Sequence, residues 1–102
     1  MNNTKWNEIF KAFYKNECEE NGVLVRWRIK DLQTGYLSLF DGTWTHFGCE
    51  PRDWECIDYL QIELTEENSD FVLQTLHQIH VPGTVSEKMA TVYGYNQNVN
   101  YI

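Results

Sequence analysis

The residues of this chain best equipped for chemistry are its three cysteines and three histidines, and their spacing decides little in favour of a site. His46-x2-Cys49-x6-Cys56 offers three metal ligands, and His77-x2-His80 offers two more. Structural zinc sites pair their ligands closely, as in Cys-x2-Cys, and no two cysteines here are that near. His77 and His80 suit the end of a helix, where the dipole favours a cation. A Cys49–His46 or Cys56–His46 couple would need something to draw the thiol towards thiolate, and the acidic surroundings work against it. Glu66-Glu67 reads as a helix-start preference rather than as paired acid–base carboxylates. VYGYNQ and HVPGT match no phosphate-binding pattern. The expectation is a chain that is not an enzyme and holds no metal and no cofactor.

Charge is the stronger signal. The net charge is −7, and residues 41–70 alone carry nine acids against Arg52, while the rest of the chain has six acids and seven Lys or Arg. Such a segment repels phosphate backbones and attracts a basic protein. Mixed into it are Trp44, Trp54 and Tyr59, side-chain types that anchor protein interfaces. The residues expected to bind a partner are therefore Asp41, Trp44, Glu50, Asp53, Trp54, Glu55, Asp58 and Tyr59. Trp44 also suits a core position, and Trp54 reads equally as core or as exposed anchor. Arg26, Arg28 and Lys30 make a basic stripe on one strand face. Trp27 points the other way by alternation, so the stripe lacks the interleaved rings that single-stranded nucleic acid prefers. Cross-strand pairing with acids such as Glu63 is the simpler expectation.

These residues must be positioned by one domain, residues 1–102, because the length suits a single core. Thr4 is placed to cap a first helix with Trp6, Ile9, Phe10 and Phe13 on its buried face, ended by Asn21-Gly22. Residues 23–30 alternate as a strand, with Val23, Val25, Trp27 and Ile29 on one side. Thr34-Gly35 is a turn, residues 36–40 a short strand, and Asp41-Gly42 a hairpin turn into a return strand at 43–47. Residues 48–53 form a loop, and 57–64 a strand with Leu60, Ile62 and Leu64 facing the core. Thr65 caps a second helix carrying Phe71, Val72, Leu76 and Ile79, and residues 90–95 form a last strand. The expected fold is α+β, a mostly antiparallel sheet of about four to five strands with two helices packed on one face. The three cysteines, odd in number and without a secretory leader before them, are expected to be reduced thiols in a cytoplasm. No run approaches membrane-spanning length.

MNNTKW at the start, RWRIKDLQTGY at 26–36, DGTWTHF at 41–47, IHVPG at 79–83, VYGY at 92–95 and the closing Tyr101-Ile102 resemble a family of small bacterial proteins of unknown function. The resemblance covers nearly the whole chain and departs from the family pattern between residues 48 and 56. It implies no catalytic residue. Small acidic domains of this kind are similar in size and charge to the immunity proteins of contact-dependent or secreted toxin systems.

The expected function is thus a non-enzymatic immunity protein that binds and neutralises a cognate toxin, a nuclease whose basic cleft would accept carboxylates in place of phosphates. It would contact neither nucleic acid nor membrane. The alternative is a free-standing regulatory or structural protein, a homodimer through an open sheet face or edge. A third reading is a small-molecule site lined by Trp27, Trp44 and Tyr36.

Overall fold

The computed structural model describes residues 1–49, 54–95 and 100–102, and of Gly48 and Cys49 the backbone alone. Helix α1 spans Asn3–Cys18, strand β1 Trp27–Asp31 and helix α2 Trp44–Cys49. A single 3-10 turn, Trp54–Cys56, leads into β2, Ile57–Glu63. Helix α3 covers Ser69–Ile79, followed by β3, Gly83–Val85, and β4, Met89–Tyr93. The four strands form one antiparallel sheet in the order β1-β2-β4-β3, so the α+β architecture and the strand count match the expectation.

Register follows from the need to bury one face. Trp27 lies opposite Ile62, Ile29 opposite Leu60, Leu60 opposite Val92 and Ile62 opposite Ala90. All six are buried, and Trp6, Ile9 and Phe13 of α1 with Val72 and Leu76 of α3 cover them. The intervening residues Arg28, Lys30, Tyr59, Gln61, Thr91 and Tyr93 occupy the opposite face, where alternation must put them. One bulge interrupts β2: Lys30 pairs with Tyr59 but Asp31 with Ile57, which leaves Asp58 as the extra residue.

Both outer strands are partly covered. Trp27 and Asp41 exchange backbone hydrogen bonds at 2.9 and 2.7 Å, and Ser38 N–H donates to Ile29 O at 2.9 Å. Residues 36–41 thus lie along β1 as an irregular fifth edge. At the far side Gly83 N–H donates to Asn100 O and Ile102 N–H to Val81 O. The ring of Tyr101 stacks on His80, centroids 4.5 Å apart. The Lys5 ammonium donates to the His80 carbonyl. The opening, IHVPG and closing motifs therefore meet at one corner, and their role there is structural.

Several local expectations are corrected. The return strand over 43–47 is the helix α2, and Asp41-Gly42 is no hairpin turn. A carboxylate from α1 caps this helix, and Trp44 and Phe47 share its buried side, so packing overrides strand propensity. Asn2, not Thr4, caps α1, its side chain accepting from Lys5 N–H at 2.9 Å. That helix ends at Cys18, before Asn21-Gly22. Helix α3 starts four residues after Thr65. Thr65 and Asn68 first close a turn on each other, side chain to backbone in both directions, at 2.8 and 3.1 Å. The ladder of β1 begins at Trp27, although the burial alternation over 23–29 is as expected. Strand β3 was not anticipated; its three residues follow Pro82 too closely to show a period. The loop expected at 48–53 lies largely outside the described residues.

Candidate protein interface

Among the described residues, the six of the eight expected to bind a partner do not form one patch. Glu50 and Asp53 lie outside the described residues. Trp44 is 1 % exposed, with its indole N–H donating to Val25 O at 3.0 Å and its ring stacked on Phe13 at 4.7 Å. It is a core residue, and as a surface anchor it is withdrawn. Trp54 is half-buried and stacks on Phe47, centroids 6.4 Å apart and planes 20° from parallel, so most of its ring serves the core.

Asp41 closes the edge segment. Its carboxylate accepts from Thr43 N–H at 2.7 Å and lies 2.7 Å from His46 Nδ1. Burial raises its pKa, but the hydrogen bonds from His46 and Thr43 and the nearby His46 charge overcome this. The net result lies below the ordinary carboxylate value. Glu63 meets Arg26 across the sheet at 3.5 Å, as the strand alternation suggested. Both groups are well exposed, so this pair adds little to stability. Among the described residues, Asp41 and Glu63 of the acidic segment are thus each engaged by a local cation, His46 and Arg26.

Glu55, Asp58 and Tyr59 do converge, and the end of β4 joins them. Tyr59 and Tyr93 face each other across the β2–β4 ladder, edge to face, with centroids 6.4 Å apart. Tyr95 is 54 % exposed, and its hydroxyl donates to the Glu55 carbonyl. Asp58 is the extra residue of the bulge, and Gly94 N–H fixes this bend by donating to Asp58 O at 2.8 Å. Three tyrosines and the backbone of Glu55 and Asp58 thus share one end of the sheet. Tyr93 and Tyr95 are the residues that sequence reasoning missed. Their spacing of two in a strand-like run, with Tyr59 near the start of another predicted strand, was the available signal.

The basic stripe borders this end. Trp27 is in the core as alternation required, yet other rings reach the stripe. Arg28 Cζ lies 4.7 Å and Arg26 Cζ 5.7 Å from the Phe40 ring centre, and Lys30 Nζ lies 5.7 Å from that of Tyr59. Arg28 also donates from Nε to Gln61 Oε1 at 2.7 Å. The cations are held by neighbours on the sheet rather than presented as a bare row.

Trp27 and Trp44 pack on each other, centroids 5.8 Å apart, while Tyr36 is 65 % exposed on the edge segment. Two of the three are thus buried against each other in the core while the third faces outward on the edge. Among the described residues no three His, Cys, Asp or Glu side chains are grouped closely enough to hold a metal ion. Cys18 is an exposed free thiol, and the side chain of Cys49 lies outside the described residues. Among the described residues no helix is long and apolar enough to cross a membrane.

Residues 1–99 match the model of DUF6678, a family of unknown function, and the chain belongs to that family. No curated protein and no solved structure matches it.

Proposed function

We propose that this member of a family of unknown function is a non-enzymatic protein-binding domain that neutralises a basic protein partner. The observation that carries the reading is the end of the sheet where Glu55 and Asp58 stand among Tyr59, Tyr93 and Tyr95. Tyrosine buries a large rigid area at low entropic cost and keeps a polar tip for hydrogen bonding. Carboxylates beside it favour a cationic surface and speed the encounter with it. The net charge of −7 adds a long-range pull in the same direction.

A bacterial toxin, in particular a nuclease with a basic cleft, is the partner that this chemistry suits best. The domain would act as its immunity protein in the cytoplasm of the producing cell. No bond is made or broken by the domain; inhibition follows from occupying the cleft.

The test is to express the basic protein encoded beside this gene and to measure its inhibition and binding kinetics with the purified domain. Tyr95→Ala should speed dissociation by about 30-fold, the effect of losing ~2 kcal/mol at an anchor. Asp58→Asn should slow association and flatten its salt dependence. Tight inhibition that neither variant alters would place the contact elsewhere. A neighbouring protein that neither binds nor is inhibited would end the immunity reading.

A further inference from the structure

We infer that the 36–40 edge segment is a pairing surface for a second copy of this chain. Its sequence is Tyr-Leu-Ser-Leu-Phe, an aromatic, a leucine, a serine, a leucine and an aromatic, symmetric about Ser38. Two such strands laid antiparallel about Ser38 place Leu37 opposite Leu39 of the second copy and Tyr36 opposite its Phe40. A two-fold axis demands this kind of self-matching.

The backbone agrees with the side chains. Tyr36 O, Ser38 N–H and both groups of Asp41 bond inward to β1. Leu37 stands opposite Lys30 in an isolated bridge, between the inward bonds of Tyr36 O and Ser38 N–H, so its own N–H and C=O point outward. The symmetric register sets Leu37 opposite Leu39 of the second copy. In an antiparallel ladder, a pair of outward-pointing residues exchanges two N–H···O bonds. The outward groups of Leu37 are thus available to the register that the sequence symmetry dictates.

Exposure and charge name the occupant. Leu39 is 85 % exposed and Tyr36 65 %, and Leu32 and Leu37 add to the same arm. An edge strand this apolar, without lysine, proline or inward charge, is open to pairing. Two copies each carrying −7 repel in general, but residues 32–40 contain no charged side chain. The flanking acids are turned to local donors: Asp31 accepts from Gln33 and Thr34 N–H, both at 2.9 Å, and Asp41 from Thr43 N–H and His46. Within this stretch two copies meet without charged side chains of its own, the nearest cations being Arg26 and Arg28 over Phe40, and pairing there continues the sheet from one copy into the other. The surface is separate from the tyrosine end of β4 and does not depend on the function proposed above.

Sedimentation equilibrium on the purified chain tests this. The wild type should shift reversibly from 12.1 kDa to twice that mass as concentration rises. Added salt should strengthen the pairing by screening the like net charges. Leu37→Lys/Leu39→Lys and Leu37→Glu/Leu39→Glu should each stay monomeric with an unchanged circular dichroism spectrum. Mixing the two should restore a dimer, because each lysine then faces a glutamate. A wild type that remains at monomer mass into the millimolar range would overturn the inference. So would a Lys-pair variant that dimerises as the wild type does, or variants that fail to pair when mixed.

Discussion

The carboxylate of Glu17, in the last turn of α1, accepts a hydrogen bond from the backbone N–H of Trp44 at 2.6 Å and reaches Thr45 Oγ1 at 3.5 Å. One helix thus caps the next from 27 residues away in the chain. This contact holds α2 where Trp44 and Phe47 enter the core.

Glu17→Ala should destabilise the fold by about 1 kcal/mol, the usual value of a lost helix cap. Urea unfolding followed by far-ultraviolet circular dichroism measures it. A midpoint equal to wild type would show that α2 is held by its aromatic side chains alone.

Asn68 is buried and satisfied on every side. Its side-chain amide donates to Leu24 O at 3.1 Å and Glu63 O at 3.0 Å, and its carbonyl accepts from Thr65 N–H. Asn68→Ala leaves these backbone groups without partners and should cost about 2–3 kcal/mol. Asn68→Asp should also destabilise, because a carboxylate cannot donate to the two carbonyls. Equal stability of both variants to wild type would contradict this.

Acid stability should depend on Asp41. Its folded-state pKa lies below 3.8, so the folded chain holds the proton less readily than the unfolded one. The stabilisation is fully present above that value and disappears as pH falls through the lower folded pKa. Asp41→Asn should flatten the acid limb of the stability profile and cost about 1 kcal/mol or less at neutral pH. An unchanged acid limb would assign the pH dependence to other carboxylates.

Gly83 sits where no side chain fits. A Cβ there would lie 2.2 Å from Thr91 O and 2.9 Å from Ile102 Cδ1. Gly83→Ala should separate β3 from β4 and cost about 3 kcal/mol or more, the upper range of overpacking. Thermal unfolding reads this directly, and a melting temperature within error of wild type would refute it.

Trp54→Ala should lower stability by about 1–2 kcal/mol through the lost Phe47 contact. It therefore confounds binding with folding, whereas Tyr95→Ala changes an exposed ring. If Trp54→Ala leaves unfolding unaltered, its ring belongs to the surface.

What was legible in the sequence follows period. Trp27, Ile29, Leu60 and Ile62 alternate cleanly, and their side of the sheet and their strands were readable from that alone. The helical stripes of Trp6, Ile9 and Phe13, and of Val72 and Leu76, were equally plain. Residues 43–47 misled because Trp, Thr and Phe favour strands, and the cap that makes them helical comes from Glu17, a distant residue. The charge concentration in 41–70 was visible, but not its local pairing, since that depends on Asp41 turning to His46 and Glu63 to Arg26. The tyrosine end required knowing that β2 and β4 are neighbours, which strand order alone supplies.

The aromatic packing has an optical consequence. Trp6, Trp27 and Trp44 are buried, and the Trp27 and Trp44 indoles lie 5.8 Å apart at 45°. Two indoles so close and so inclined share their electronic excitation, giving a paired positive and negative band in the ultraviolet dichroism spectrum. Emission from this shielded group should be blue-shifted and insensitive to quenchers in the solvent. The chain carries its own reporter of core integrity, one that Trp54 complements from the rim of the fold.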